Sequence, residues 1–300
     1  MISAAKPPAV EASKKGLLAS ADEGVTVQKE RDSGGPLEAL RVSEDFDGIV
    51  CDLDGVVYRG DGVIPGAPQA IARLRERGVH IVFCTNNSRL TLGQYVDKLA
   101  RMGVSSVPED VVTSGVVTSE VLARRGYKGA TAMVVGDQGI RENLGDIGVR
   151  IHDGGGEQPG IDIVVVGWDV DFNYAKMRRA AAAVRGGAAL IATNGDATFP
   201  AADELWPGAG AILASIEVAS GRRAEIMGKP NTPMMEAAAR RLEDAGSIAV
   251  VGDRPDSDLA GGEAMGWATI LVLSGVVDAA EAAALDPQPD LIVESLADLG

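Results

Sequence analysis

Only two histidines occur in 300 residues, His80 and His152, far apart and in no metal-ligand spacing. Catalysis built on a histidine base or a histidine-held metal is therefore not expected. Cysteine is equally scarce. Cys51 and Cys84 each end an apolar run just before a polar stretch, which suits buried fillers in a reducing compartment and not a disulfide framework. The sequence leaves a redox pair open if those two runs lie side by side. Positive charge is in deficit: 28 Lys and Arg against 43 Asp and Glu give a net charge of -15. With no basic patch, nucleic acid is not expected as a partner. A phosphorylated small molecule remains open, because helix N-termini or a metal supply local positive charge. No run of 18 apolar residues exists, so no membrane span is expected. The first residues carry lysine but no apolar stretch of a secretory signal, so a soluble, cytoplasmic protein is expected.

What is present is an ordinary globular composition, 46% apolar and 24% charged. The length allows one large or two medium domains. Residues 1–44 are rich in Ala, Ser, Lys, Glu, Gly and Pro without sustained periodicity. They read as a disordered extension, or as the product of a start assigned too far upstream. From Phe46 short apolar runs alternate with helical patterns. Runs at Gly48–Cys51, Val79–Cys84 and Val111–Ser114 are separated by helical stretches that open at Pro65 and Leu92 and close at Gly78 and Gly103. Such alternation implies a parallel sheet covered on both faces. A second set follows, with runs at Ala132–Val135, Ile161–Val166 and Ala188–Ala192, a loop at Gly154-Gly155-Gly156, and a helix over Gly208–Ser220. The last third returns to the first pattern, at Ile248–Val251, Thr269–Val272 and Leu291–Val293. The simplest arrangement is an α/β core over 45–125 and 224–300, split by an inserted α/β domain over 126–223.

The most demanding stretch is Ile49-Val50-Cys51-Asp52-Leu53-Asp54-Gly55. An apolar run stops at two carboxylates spaced i, i+2 and then a glycine. This reads as a buried parallel strand, and ligands of open α/β sheets collect at the carboxyl ends of strands. Two like charges there are costly unless a cation or a shared proton compensates. The plain alternative is a solvated turn that carries two Asp. Three further stretches share this setting: Thr85-Asn86-Asn87-Ser88, Gly228-Lys229-Pro230, and Gly252-Asp253-Arg254-Pro255-Asp256-Ser257-Asp258. Each alone is also good cap or turn material. Together they supply carboxylates for a hard cation, and a hydroxyl and a lysine for phosphate oxygens.

This set resembles the haloacid dehalogenase superfamily of phosphatases. Asp52-Leu53-Asp54-Gly55-Val56-Val57-Tyr58 matches its first motif, Thr85-Asn86-Asn87 its second, Lys229 its third, and Gly252-Asp253-Arg254 with Asp258 its fourth. The insertion between the second and third motifs looks like subclass IIA. The resemblance implies a Rossmann-like core under an inserted cap, Mg²⁺ as cofactor, a small phosphorylated metabolite as substrate, and room for a homodimer. It implies Asp52 as nucleophile and Asp54 as general acid and base. Asp52, the Asp54 backbone carbonyl and Asp253 would hold the metal. Thr85, Asn86, Asn87 and Lys229 would surround the phosphoryl group, with Asp258 orienting Lys229 or a metal-bound water from behind. Asp256 would be exposed. In related caps a loop like Thr193-Asn194-Gly195-Asp196-Ala197-Thr198-Phe199-Pro200 faces the core site, so Asn194, Asp196 and Phe199 become candidate substrate contacts. Some pyridoxal-phosphate members carry histidine where this chain has Phe199, which argues against that substrate. Gly208-Ala209-Gly210 would help a helix N-terminus close over the substrate. Two other classes remain: a receiver that stores phosphate on an aspartate, and a silent metabolite-binding protein. Asp54 separates the first from a phosphatase, because a store of phosphate needs no general acid.

Overall fold

A computed structural model describes residues 42–152, 160–200 and 205–299. Most of the extension expected over 1–44, and the loop at Gly154-Gly155-Gly156, lie outside these residues. Two parallel sheets organise the rest. The first has six strands in the order Leu291–Val293, Ala268–Val272, Ile248–Gly252, Gly48–Cys51, His80–Thr85, Val111–Thr113. Every neighbouring pair is parallel. The chain runs outward from Gly48–Cys51 to one edge, then returns to its other side at Ile248–Gly252. This is a topological switch point, and it opens a crevice at the carboxyl ends of the central strands. Asp52, Asn86 and Asp253 each directly follow one of those three adjoining strands.

The second sheet has five strands, Glu225–Ile226, Ala189–Ala192, Ile163–Val166, Thr131–Val135 and Arg150–Ile151, also all parallel. Its central strands Thr131–Val135 and Ile163–Val166 are buried throughout, as a sheet covered on both faces requires. Helices Ser114–Arg124 and Thr232–Arg241 lie between the sheets. Val50, Val82 and Val250 of the first sheet join one apolar cluster with Val134, Val165 and Ile191 of the second. The two sheets thus share a continuous core. Helices Tyr174–Arg185 and Ala209–Ser220 cover the far face of the second sheet. Asn173 starts the first of these by accepting the Lys176 N–H at 3.1 Å.

The α/β class and the strand–helix alternation hold throughout, with ends shifted by a few residues. Four features were not legible as strands. Glu225–Ile226 pairs with Ala189–Ala192, so the segment before Lys229 belongs to the second sheet. Arg150–Ile151 forms that sheet's other edge. Tyr58–Arg59 and Gly62–Val63 form a small hairpin. Thr198–Pro200 pairs antiparallel with Leu205–Pro207, so the stretch after Asp196 is a hairpin arm. All four are two- or three-residue strands, too short to carry a period.

The redox pair left open for Cys51 and Cys84 is not available. Cys51 stands opposite Phe83 in the parallel register. Cys84 is one residue on and points to the other face. Cys51 packs in the cluster on one side of the sheet and Cys84 in the cluster between the sheets. Burial also pushes the Cys84 thiol up to about 12, which removes the thiolate that exchange needs.

Candidate active site

Lys229 is the centre of the crevice. Its side chain is only 3% exposed, yet its ammonium is saturated. It donates to Asp52 Oδ1 at 2.6 Å, Asp258 Oδ1 at 2.6 Å and the Cys84 carbonyl at 2.7 Å. Burial alone would lower its pKa; Asp258 and Asp52 outweigh that and hold it well above the ordinary lysine value. Asp258 is fully used, since Oδ2 accepts the Arg254 N–H at 3.1 Å. Asp256 is exposed. A one-turn π segment, Pro255–Leu259, aims Asp258 inward and Asp256 outward.

Asp52 and Asp253 are the unfinished residues. Lys229 takes Oδ1 of Asp52; among the described residues Oδ2 has no hydrogen bond. Burial raises the Asp52 pKa well above the usual carboxylate range, against the pull of Lys229. Asp253 accepts the Val276 N–H on Oδ2 at 3.0 Å, but its Oδ1 is buried without a partner. Burial, with Asp258 nearby, lifts Asp253 to about 7. Gly55, at φ 88°, and Gly275 make this cradle, because a Cβ on either would run into the Asp253 carboxylate. Carboxylate oxygens of Asp52, Asp253 and Asp258 all lie within 4.8 Å of one another. Lys229 already compensates Asp52 and Asp258, so the donors left for a hard divalent ion are the open oxygen of Asp52 and the orphaned Oδ1 of Asp253.

Asp54 lies two residues on, half-buried at the cavity wall. Burial raises its pKa against the pull of Lys98, Lys229 and Arg254. The cavity holds about 60 Å³, several times what one water needs and enough for a small group. Thr85 and Asn87 line it beside Asp52 and Asp54. The Thr85 hydroxyl accepts the Asn87 N–H at 3.1 Å and also meets the Tyr95 hydroxyl. Asn87 turns its side chain back on the Arg89 N–H at 3.1 Å and closes a local turn. Asn86 commits its side chain to Asp196 and to the Lys229 backbone. What Asn86 has to offer a phosphate is its backbone N–H.

The second sheet closes the other side of the cavity. Asn194, 4% exposed, donates to the Asn86 carbonyl at 2.7 Å. Asp196 accepts from Asn86 Nδ2, and burial raises its pKa against the pull of Arg254. Phe199 lines the cavity and stacks on Trp168, with ring centroids 4.1 Å apart. Arg89 lies over the Trp168 ring at 4.8 Å. Gly208 and Ala209, at the start of helix Ala209–Ser220, also reach the wall. Trp168, and the place of the Arg254 side chain in the cavity wall, were missed in the sequence. Trp168 follows a buried Val run as Gly167-Trp168-Asp169, so the strand-end rule that found Asp52 would have found it.

The comparisons with known proteins agree. The haloacid dehalogenase-like hydrolase family matches residues 49–150, and a second HAD-hydrolase-like family matches 226–299. The chain is 34% identical over 266 residues to chronophin of Rattus norvegicus, covering 84% of this chain and 86% of that one. It is 34% identical over 247 residues to an acid sugar phosphatase of Staphylococcus haemolyticus, covering 82% and 92%. The crystal structure of a glycerol phosphate phosphatase from Mycobacterium tuberculosis, in complex with magnesium, superposes with TM-score 0.79 at 31% identity, covering 87% and 78%. With these relatives and this fold, the chain belongs to the haloacid dehalogenase-like hydrolases, among their subclass IIA phosphatases.

Proposed function

We propose that this chain is a Mg²⁺-dependent phosphatase that hydrolyses a small phosphomonoester through an aspartyl phosphate on Asp52. One observation carries the reading: Lys229 pins one oxygen of Asp52 and leaves the other uncommitted, beside the orphaned Asp253 Oδ1. The uncommitted oxygen attacks phosphorus as the bond from phosphorus to the leaving oxygen breaks. Asp54, its pKa raised by burial, enters as the neutral acid and gives its proton to that leaving oxygen. As a carboxylate it then takes a proton from water, whose oxygen attacks phosphorus and releases Asp52. The Thr85 hydroxyl and the Asn86 backbone N–H hold the phosphoryl oxygens, and Asn87 shapes the turn beneath them. Lys229 contributes charge and holds Asp52 in place, its three donors being taken. Asp52, Asp253 and the Asp54 backbone carbonyl would hold Mg²⁺, which screens the charge of two approaching anions and polarises the phosphoryl group.

The segment 126–226 acts as the cap over a core of 45–125 and 227–299; the boundary expected at 223 moves because Glu225–Ile226 pairs with Ala189–Ala192 of the second sheet. Selection falls to Phe199 and Trp168, since Asp196 and Asn194 are engaged with Asn86. Family membership supports this reading over a phosphate-storing receiver or a silent binding protein. A cytoplasmic location is part of the same proposal, supported by two unpaired buried cysteines and by the absence, among the described residues, of any helix able to cross a membrane. So is a homodimer, which light scattering decides.

The test is acid quenching during turnover of phosphoglycolate, glycerol phosphate, sugar phosphates, pyridoxal phosphate, nucleotides and p-nitrophenyl phosphate. A phosphoryl group on the peptide containing Asp52, formed with Mg²⁺ and absent with chelator, is the expected result. Turnover with no protein-bound phosphate at any time would overturn the covalent route.

A further inference from the structure

Lys229 must place its ammonium between two carboxylates of the first sheet, yet the strand that delivers it, Glu225–Ile226, belongs to the second. Asn86 bridges this gap. It is 7% exposed and stands at the end of His80–Thr85. Its Oδ1 accepts the Lys229 N–H at 2.8 Å, and its Nδ2 donates to the Lys229 carbonyl at 3.1 Å. The side-chain amide thus grips both backbone groups of one residue, as a neighbouring strand would. The same Nδ2 donates to both Asp196 oxygens at 3.1 Å, from the loop of the second sheet. The Asn86 carbonyl is held as well, by Ser114 Oγ at 2.5 Å and Asn194 Nδ2 at 2.7 Å. Gly228 permits the approach, because a Cβ there would meet Asn86 Oδ1 and the Thr193 carbonyl.

We propose that Asn86 is a positioning residue through which the 193–196 loop of the second sheet sets the Lys229 backbone, and with it the ammonium that pins Asp52. Asp196 is the anchor of this linkage. Its carboxylate fixes the flip and rotamer of the Asn86 amide, and the amide fixes Lys229. The surrounding contacts hold the two sheets in the same register. Ser88 Oγ lies 3.1 Å from Thr193 Oγ1, Gly139 donates its N–H to the Arg89 carbonyl at 2.9 Å, and Arg125 meets Glu225 through two bonds of 2.6 Å. The loop of the second sheet is therefore part of the support of the lysine. The kinetic consequence rests on the phosphatase reading; the structural one does not.

The test combines kinetics with amide exchange on the full chain for Asn86→Ala, Asp196→Ala, the double variant and Asp196→Asn. Each alanine variant should lower kcat by about 10- to 100-fold while KM moves less than about threefold. The double variant should lose no more than the worse single, because both break one linkage. Asp196→Asn keeps an acceptor for Asn86 and should recover most of the loss. Residue-resolved exchange of the Lys229 N–H should speed up in Asp196→Ala while the amides of Ile49 and Val250 stay protected. Multiplied losses in the double variant together with a raised KM in Asp196→Ala would make Asp196 a direct substrate contact and overturn the proposal. Unchanged exchange at Lys229 in Asp196→Ala would overturn it too. Should the wild type turn over no ester, the phosphatase reading falls and the exchange arm still decides the linkage.

Discussion

Both parallel sheets present acids at the carboxyl ends of their strands, and the two sets have different surroundings. In the second sheet the three among the described residues are satisfied. Asp137 pairs with Arg89 at 2.8 Å, Asp169 takes Lys176 on both oxygens at 2.8 and 2.7 Å, and Asp196 takes the Asn86 amide. In the first sheet Asp52 keeps one oxygen free and Asp253 keeps one orphaned. Similar scaffolds thus carry a finished set and an unfinished one. The unfinished set is the costly one, because buried charge without a partner opposes folding. That cost marks the site, and a bound cation and substrate offset it.

The comparison breaks most visibly at the nucleophile. Asp52→Asn should lower turnover by about 10³-fold or more with the fold intact, read by phosphate release and circular dichroism. Asp169→Asn in the second sheet should stay within about threefold of the wild type. Equal losses would erase the distinction between the two sets.

The next largest effect is on stability. Lys229→Met leaves Asp52 and Asp258 buried without compensation and should cost about 3–5 kcal/mol. Lys176→Met removes a pair whose lysine is 24% exposed and whose carboxylate is 5% exposed, and, with one buried charge left instead of two, should cost about 1.5–3 kcal/mol. Urea denaturation of both variants gives the ratio.

Metal and pH sharpen the same point. In the metal-free protein Asp253 titrates at about 7, above its ordinary value of 3.8. The folded state then holds a proton that the unfolded state has released, so the contribution of Asp253 to stability is fully present below about pH 4 and is lost as pH rises toward about 7. The fall is of order 1.4 kcal/mol per unit of pKa difference. Mg²⁺ should flatten it, and Asp253→Asn should remove the share of Asp253 and weaken the Mg²⁺ effect, leaving the shares of Asp52, Asp54 and Asp196, whose pKa values burial also raises. Denaturation at stepped pH, with Mg²⁺ and with chelator, reads this out. The smallest change expected is Arg89→Ala. Its pair with Asp137 is 36% and 38% exposed, and its loss should cost less than about 1 kcal/mol.

The legible parts of this molecule were those where the sequence carries period or punctuation. Buried runs such as Ile163–Val166, and glycine stops such as Gly78 and Gly103, fixed the alternation of strand and helix. The unfinished acids were legible because Asp52 and Asp253 each follow such a run. What was hidden depends on pairing across long separations. Nothing local shows that Glu225–Ile226 joins the second sheet, or that the Asn86 side chain, 143 residues before Lys229, is occupied by that residue's backbone. Cys51 and Cys84 show the same limit. Adjacent strands made a pair conceivable, and only the register put the two sulfurs on opposite faces.

The most direct measurement is phosphate release from the ester panel by wild type and Asp52→Asn, each with Mg²⁺ and with chelator. Turnover of at least one ester by the wild type is expected with Mg²⁺, and none above background in the other three conditions. Turnover that persists in Asp52→Asn, or that ignores the chelator, would contradict it.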